Sequence, residues 1–466
     1  MAKKQEKAAD PAARVMVACE DAGVELVRFL YVDHGGIVRG KATSRARLAE
    51  RLQTGIGLVT GMQAMSMLDE LAPVAGLGPV GEIRLVPDPN SFVVLPYAPG
   101  AAAMTADMVR LDGEPWEACP RAFLKRAIAE LAAEGYALVA AFEPEFTLGR
   151  RVPGDGPAEP DRLAPVDQSL CFSTSGFGAA HDYAIELVRA LQAQGLVVEQ
   201  YYPELGHGQQ ELSVRHAPAL RAADNMVWYR ETARGVAWRQ GLWASLAPKP
   251  IPDQAGNGAH LHASIWDAGP DGGNALYAAA DPRGLSALAY HWIGGLLAHL
   301  PALVALTCGS VNSYRRLVPQ SWSSAFTCWG MDNREAAVRV PSRMWGLDEA
   351  STNLELKPSD ATGNPYLALG AVIHAGLDGI RNKLDPGRPV DTDPASLSRA
   401  TRRRRGIERL PSSLDEALDA LEADELLMEA LGPLRRDAYL AVKRSEVASF
   451  GARDTAFECF HHFTKF

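Results

Sequence analysis

The chain has 466 residues, of which 47% are hydrophobic and 22% charged, a composition typical of globular proteins with a large core. Its 47 basic and 56 acidic side chains give a net charge of −9, so nothing suggests nucleic acid or an anionic membrane as a partner. Six scattered cysteines without a CxxC pair fit a reducing cytosol and argue against a disulfide framework or a zinc knuckle. The first dozen residues lack the apolar segment of a signal peptide. We therefore expect a cytoplasmic protein with more than one domain.

The first part of the chain predicts a small mixed α/β domain that ends near residue 112. Residues 12–21 and 46–52 have helical patterns. Residues 55–67, rich in glycine and methionine, are expected to form a loop. Short strands are predicted at residues 24–31, 37–41, 82–87 and 91–95, with a hairpin turn between the first two.

After residue 112, strands that carry polar residues alternate with long helices. An amphipathic helix at residues 120–134 precedes a strand at residues 137–145. The most apolar run, residues 291–309, contains Pro301 and predicts a pair of buried helices instead of a membrane span. Further helices are predicted at residues 180–194, 220–240, 286–306, 365–381 and 414–449.

Two histidines stand in a glycine-rich stretch, residues 253–267, which reads DQAGNGAHLHASIWD. Gly256 and Gly258 permit close approach of the backbone to a ligand. On the strand that follows, His260 and His262 point to the same face. Two histidines spaced in this way are, on their own, more often polar side chains without a special role than a pair of metal ligands.

Carboxylates elsewhere change that interpretation. In FEPEF, strand alternation aims Glu143 and Glu145 the same way, and their repulsion costs stability unless a cation neutralises it. Alone, this segment could also be a solvated acidic edge. Glu204 and Glu211 bracket a glycine-rich loop, and Glu355 lies on a later strand. Hard oxygen ligands with few imidazoles favour Mg²⁺ or Mn²⁺ over zinc.

Arginines accompany these carboxylates, as phosphoryl transfer requires. Arg315 and Arg316 are adjacent, and Arg334 and Arg339 stand in DNREAAVRV. Each could equally form a structural ion pair. The chain has no GxxxxGK[ST] loop, so ATP would have to bind in another way.

Four motifs together resemble the glutamine synthetase superfamily, in particular its γ-glutamyl-amine ligase branch. They are GNGAHLHAS (256–264), NSYRRLVP (312–319), WGMDNREAAVRVP (329–341) and NPYLALGAVIHAGLDGI (364–380). The resemblance implies an α+β fold, with a β-grasp domain at residues 15–112 after a flexible tail at residues 1–14. Residues 113–466 would form a catalytic domain with a curved antiparallel sheet flanked by helices. Members of the family commonly form two stacked hexameric rings with active sites between subunits.

The resemblance also implies roles for individual residues. The ligands of the first metal would be Glu145, Glu204 and Glu211. The ligands of the second metal would be Glu143, His260 and Glu355. The positions matching the nucleotide site are Glu199, His262, Ser264, Arg334 and Arg339. The positions matching the glutamate site are Glu145, Gly256, Arg316 and Lys357. Arg316, Arg334 and Arg339 would be catalytic. ATP would phosphorylate the γ-carboxylate of glutamate, and an amine would then displace phosphate.

The chain departs from the family at the pocket that holds ammonium. The mobile-loop glutamate of ammonia-using members is replaced by Trp322, and their tyrosine by Cys171. Their aspartate falls near Thr60, Met62 and Gln63. Without these anionic groups ammonia is not the expected amine, and an indole favours a larger or apolar one, such as an alkylamine or aniline. Polyamines fit least, because no acidic residue is evident near the pocket.

Further departures leave alternatives open. Lys357 stands where the family has an arginine, and Ala255 where it has an asparagine, so an acid other than glutamate is possible. The other readings are a true glutamine synthetase with a rearranged ammonium pocket and a non-catalytic structural or regulatory assembly. The filled metal-ligand positions argue against the last.

Overall fold

The computed structural model describes residues 10–154, 161–269 and 272–466. A mixed sheet with strand order β2-β1-β6-β4-β3 forms the N-terminal domain, with β5 paired to β6. Strands β1 and β6 run parallel, and the other pairs are antiparallel. The elements are α1 (Pro11–Asp21), β1 (Leu26–Val32), β2 (Val38–Ser44), α2 (Arg45–Thr54), β3 (Ile56–Val59), β4 (Glu82–Pro87), β5 (Val93–Val94) and β6 (Ala101–Val109).

Three details of this domain differ from the sequence predictions. Helix α1 confirms the helix predicted at residues 12–21 but begins one residue earlier, at Pro11, so it extends into the predicted tail, because the Asp10 carboxylate accepts the N–H of Ala12 and proline suits the first turn. The predicted loop at residues 55–67 instead contains β3, which pairs with β4, and a 3₁₀ turn, Thr60–Ala64. Strand β6 was not predicted, because its alanines lack β propensity; they fit the centre of the sheet, between β1 and β4.

The second sheet supports the catalytic domain. Its main strand order is β14-β15-β16-β13-β7-β10-β9, with β8, β11 and β12 also paired to the long β7. All pairs are antiparallel except β14 with β15. The strands are β7 (Tyr136–Val152), β8 (Arg162–Pro165), β9 (Val198–Pro203), β10 (Gln209–Val214), β11 (Ala217–Pro218), β12 (Trp243–Ser245), β13 (Ala259–Asp267), β14 (Trp329–Met331), β15 (Val338–Val340) and β16 (Leu354–Leu356).

Helices cover this sheet and enclose a single large apolar core. The long predicted helices are present, and α10 packs against α3, α6 and α7. The helices are α3 (Pro120–Ala133), α4 (Thr174–Ala179), α5 (His181–Ala193), α6 (Ala219–Arg239), α7 (Ala287–Thr307), α8 (Ser313–Arg316), α9 (Asp348–Ser351), α10 (Pro365–Asn382), α11 (Arg399–Arg404), α12 (Leu414–Ala423), α13 (Glu425–Leu431), α14 (Pro433–Gly451) and α15 (Thr455–Lys465).

Helix α7 corrects the prediction of a helix pair. It continues through Pro301, so the apolar run forms a single helix. Within the described part of the chain it is the one helix long and apolar enough to cross a membrane. More than half of its apolar stretch is buried, against α10 and α12 among other elements, which is how a core helix is placed.

Candidate active site

Strand pairing brings the predicted carboxylates and histidines into one row across the large sheet. Pairing of β13 with β7 sets His260 opposite Glu143, and pairing of β13 with β16 sets His262 opposite Glu355. On the other side of β7, Glu211 of β10 stands opposite Glu145. Directly opposed residues project from the same face of a sheet. The strand periodicity predicted from sequence therefore holds, and all these side chains share one face.

The tightest group contains Glu143, His262 and Glu355, whose ligand atoms all lie within 4.8 Å of one another. His262 Nε2 lies 3.1 Å from Glu143 Oε2 and 3.8 Å from Glu355 Oε1. Burial alone would lower the pKa of His262, but the Glu143 carboxylate raises it to about 9. The buried Nε2 has no partner in hydrogen-bond geometry. Two carboxylates converging on such a nitrogen fit a divalent metal.

His260 lies beside this group. Its Nδ1 is 3.3 Å from Glu355 Oε1, and its Nε2 is 4.0 Å from Glu145 Oε1. Burial and then the charge of Lys357 lower the pKa of His260, which favours the neutral imidazole that binds metals. The resemblance assigns His262 to the nucleotide, but in the structure His262 lies next to the predicted metal ligand Glu143. Both histidines also lie within 4 Å of Glu355.

Glu355 is the most heavily paired carboxylate of the site. It is 1% exposed, with Arg339 Nε 3.0 Å from Oε2 and Lys357 Nζ 3.4 Å from Oε1. Burial raises the pKa of Glu355, but Lys357 and the neighbouring histidines bring it down to about 2. The same lysine ammonium lies 3.4 Å from His260 Nε2. Lys357 is therefore placed at the metal ligands as well as at the position where the family has an arginine.

In a second set of carboxylates, Glu145, Glu204 and Glu211, no lysine or arginine of the described residues lies within ion-pair distance. Burial and then the charge of Glu204 raise the pKa of Glu145 to about 7. Burial raises the pKa of Glu204, and burial with Glu145 and Glu143 raises the pKa of Glu211 well above its usual value. Neutral donors hold two of them: Gln209 Nε2 donates to Glu145 at 2.7 Å, and the Tyr202 hydroxyl donates to Glu211 at 2.5 Å. A divalent cation would relieve this repulsion, so these residues fit a metal.

The predicted glutamate site leaves no space for a side chain at Gly256 or Gly258. A Cβ at Gly256 would lie 2.4 Å from the Pro248 carbonyl oxygen and 2.9 Å from Arg316 Cγ, and a Cβ at Gly258 would lie 2.9 Å from His260 Nε2. Arg316 is 5% exposed and donates to the Ser359 carbonyl at 2.8 Å, while its Nε has no partner. A buried guanidinium with a free N–H suits a carboxylate ligand.

The residues predicted to contact the nucleotide are more open. Ser264 lies on the same face of β13 as the two histidines, and its hydroxyl accepts the indole N–H of Trp266 at 2.9 Å. Arg334 is exposed in the turn between β14 and β15, near enough to Glu204 for its charge to lower that pKa against the effect of burial. Glu199 forms a surface ion pair with Arg215, 2.5 Å apart.

Family models identify the protein's relatives. The model of the glutamine synthetase N-terminal domain matches residues 11–116, and that of the glutamine synthetase catalytic domain matches residues 117–461. The chain belongs to the glutamine synthetase family. This confirms the predicted resemblance and α+β fold, and with the relatives below it confirms the prediction of a ligase.

Relatives of this glutamine synthetase family member are named for different amines. The gamma-glutamylpolyamine synthetase of Streptomyces coelicolor is 39% identical over 435 residues, covering 93% of this chain and 91% of that protein. The glutamate–methylamine ligase of Methyloversatilis universalis is 38% identical over 374 residues, 78% and 80% of the two chains. The glutamine synthetase of Pyrococcus furiosus is 36% identical over 421 residues, 90% and 88%. A solved glutamine synthase homolog superposes with a TM-score of 0.83 at 38% identity, covering 95% of this chain and 99% of that one.

Two of the residues predicted for the amine pocket of this family member lie in its catalytic domain. Trp322 is 59% exposed, and its backbone adopts the left-handed conformation, with φ of +57°. Cys171 lies 3.9 Å through Sγ from Glu204 Oε2. Next to it, Phe172 is also exposed and packs edge-on against Tyr202. The Cys171 thiol therefore lies beside Glu204, one of the predicted metal ligands.

The three predicted pocket residues of the N-terminal domain lie on the 3₁₀ turn Thr60–Ala64, which also packs against α14 of the catalytic domain. The Thr60 hydroxyl donates to the Val80 carbonyl, and Met62 packs against a buried cluster that joins the N-terminal core to Ala438 of α14. Gln63 does not reach a surface: it is fully buried, and its amide lies 3.3 Å from Met108 Sδ. Gln63 was predicted to line the amine pocket, but its side chain is buried within the protein at the 3₁₀ turn.

One acidic residue near the pocket escaped the sequence interpretation. Glu335 follows Arg334, and its carboxylate accepts the backbone N–H of Trp322 at 2.7 Å. The motif DNREAAVRV contains this glutamate, but only the fold of the loop at residues 320–324 places it beneath Trp322. No sequence spacing could have revealed that contact.

Proposed function

We propose that this protein is an ATP-dependent ligase that joins the γ-carboxylate of glutamate to an organic amine larger or more apolar than ammonia. The observation that carries the proposal is Trp322, an exposed indole at the position of the ammonium-binding glutamate of ammonia-using relatives. The names of the Streptomyces and Methyloversatilis relatives support an organic amine. A true glutamine synthetase remains the alternative that the Pyrococcus relative represents.

Two divalent ions, Mg²⁺ or Mn²⁺, would shield the charge between ATP and glutamate. Glu145, Glu204 and Glu211 would hold one ion. Glu143 and Glu355 would hold the other together with a histidine, which is His260 by family resemblance and His262 by proximity. The raised pKa of Glu211, which the charges of Glu145 and Glu143 increase, and the approach of His262 Nε2 to Glu143 and Glu355 support this assignment.

The remaining residues of the proposed site bind and orient the substrates. Arg334 and Arg339 would neutralise the phosphoryl group in transfer, while His262, Ser264 and Glu199 would contact the nucleotide. Arg316 and Lys357 would hold the carboxylates of glutamate above the glycine at 256. Phosphorylation of the γ-carboxylate makes it an acyl donor, and attack by the amine then forms the amide and releases phosphate.

The assembly belongs to the same proposal. Residues 15–112 would form the N-terminal domain and residues 113–466 the catalytic domain of a cytoplasmic homo-oligomer, a double hexameric ring. Thr60 and Met62 have no described contact with the catalytic site of their own chain. In a ring, the N-terminal domain of a neighbour could supply these residues to the pocket.

The proposal is tested by measuring ADP release with glutamate, ATP and Mg²⁺ or Mn²⁺ across a panel of amines. Ammonium is compared with methylamine, isopropylamine, ethanolamine, aniline and putrescine, and the amide is identified by mass. Turnover with an organic amine and little with ammonium is expected. Dominant turnover with ammonium would show a true glutamine synthetase, and silence with every amine would point to another acid or to a non-catalytic assembly.

The Trp322→Glu variant tests the pocket directly. Restoring an anionic side chain should raise kcat/KM for ammonium relative to the organic amine by about tenfold or more, because a carboxylate binds a small cation and an indole does not. Trp238→Glu, at an equally exposed tryptophan on α6, is the matched control and should leave the ratio unchanged. An unaltered amine spectrum in the Trp322 variant would place this residue outside the pocket.

A further inference from the structure

Glu335 lies directly beneath the loop that carries Trp322. It is 8% exposed, and its Oε1 accepts the Trp322 N–H at 2.7 Å. Gln320, Trp322 and Ser324 all have positive φ angles, between +57° and +64°. Non-glycine residues adopt this conformation only when other contacts hold them in it. The Glu335 carboxylate supplies one such contact, so loop shape and carboxylate position depend on each other.

The second oxygen of this carboxylate is free. Glu335 Oε2 is buried and has no hydrogen-bond partner among the described residues. Burial raises the pKa of Glu335 and the charge of Asp393 adds to the effect, while the backbone N–H groups of Trp322 and Gln320 and the charge of Lys357 oppose it. Lys357 is the ammonium that contacts Glu355 and His260. The carboxylate is therefore within electrostatic reach of a lysine that contacts two predicted metal ligands, and no lysine or arginine of the described residues forms an ion pair with it.

We propose that Glu335 binds the ammonium group of the incoming amine and removes a proton from it. This inference rests on the proposed ligase function and names the group that replaces the glutamate lost at position 322. An organic amine is largely protonated at neutral pH and cannot attack a carbonyl until it loses a proton. A partly buried carboxylate next to the pocket can hold the cation and act as the general base.

The chemistry balances as follows. One proton of R–NH₃⁺ passes to the Glu335 carboxylate, and the nitrogen lone pair attacks the γ-carbonyl carbon of γ-glutamyl phosphate. The C–N bond forms as the C–O bond to phosphate breaks, and the second proton leaves with the phosphate. The substrate class is thus a primary amine that binds as its cation, with its carbon chain directed towards the indole of Trp322.

Glu335→Gln separates this role from a purely structural one. The glutamine carbonyl can still accept the Trp322 N–H, so the loop keeps its anchor while the charge and the base are removed. We expect kcat/KM for an alkylamine to fall about 100-fold, in the range of a lost general base. Hydroxylamine reaches the site mostly as the neutral base, so its kcat/KM should fall far less. Raising the pH should partly restore the alkylamine rate.

Two control variants separate the loss of the Glu335 charge from a general effect of the substitution. Asp112→Asn removes a carboxylate that likewise accepts a backbone N–H, that of Glu114, in the N-terminal domain after β6. Glu335→Asp retains the charge and should recover part of the alkylamine rate. Equal losses with alkylamine and hydroxylamine, or no loss with either, would overturn the role of Glu335. A wild-type enzyme that turns over ammonium alone would instead overturn the proposed function.

Discussion

Glutamine at position 145 should stabilise the metal-free protein and abolish its ligase activity. The Glu145 pKa of about 7, against 4.5 for the ordinary side chain, means that ionising this carboxylate in the folded protein costs about 3 kcal/mol. Its Oε2 accepts hydrogen bonds from Gln209 Nε2 at 2.7 Å and from the Gly258 N–H at 3.1 Å. A glutamine with its carbonyl in that position keeps both bonds and removes the charge.

The sign of the effect depends on pH. Between pH 4.5 and pH 7 the folded protein retains a proton on Glu145 that the unfolded chain has lost, so the wild type loses stability as the pH rises. The Glu145→Gln variant escapes this loss. The two proteins should therefore melt together at pH 4.5 and differ fully at pH 8. For 466 residues the unfolding entropy is about 1 kcal/mol/K, which converts 3 kcal/mol into roughly 3 °C.

Thermal unfolding at pH 8, in EDTA and in Mn²⁺, measures both consequences. Mn²⁺ should raise the melting temperature of the wild type, since it binds only the folded site, and should raise that of the variant much less. Glu429→Gln, at an exposed carboxylate on α13, serves as the matched control. A variant that melts at or below the wild type in EDTA would refute the repulsion between carboxylates. A variant that keeps the full Mn²⁺ increment would refute Glu145 as a ligand.

Two further predictions concern stability away from the site. Arg121→Met should lower the free energy of unfolding by about 3–5 kcal/mol in urea denaturation, because the buried guanidinium pairs with Asp224 and with two carboxylates of the N-terminal domain. An unchanged urea midpoint would contradict this. Burial lowers the pKa of His299, but Asp424 and Asp378 raise it overall, so this contact stabilises below about pH 6.5 and is lost as the pH rises through the raised pKa. His299→Gln should therefore be most destabilising near pH 6 and progressively less destabilising as the pH rises in thermal melts; a deficit that does not change with pH would argue against the ion pairs.

The face of each strand could be predicted from sequence, but the neighbours of each side chain could not. Alternation alone placed Glu143 with Glu145 and His260 with His262, and the structure confirms both. Which histidine meets which carboxylate depends on long-range pairing and rotamers, and the sequence offered no signal that His262 Nε2 would approach Glu143. Strand β6 was missed for a related reason, since its small residues suit a central strand only once β1 and β4 flank it.

The charge near the predicted amine pocket could not be predicted from the sequence. The loss of glutamate at position 322 suggested that the pocket lacks anions, and polyamines were disfavoured on that ground. Glu335, in the connection between β14 and β15, places a carboxylate against the backbone of Trp322. Cys171 also lies close to a second carboxylate, that of Glu204. If Glu335 binds the amine as proposed, a cationic amine meets an anionic group there, and the argument against polyamines loses its premise. What separates a monoamine from a polyamine is then whether a second anionic group lies within reach of the distal ammonium.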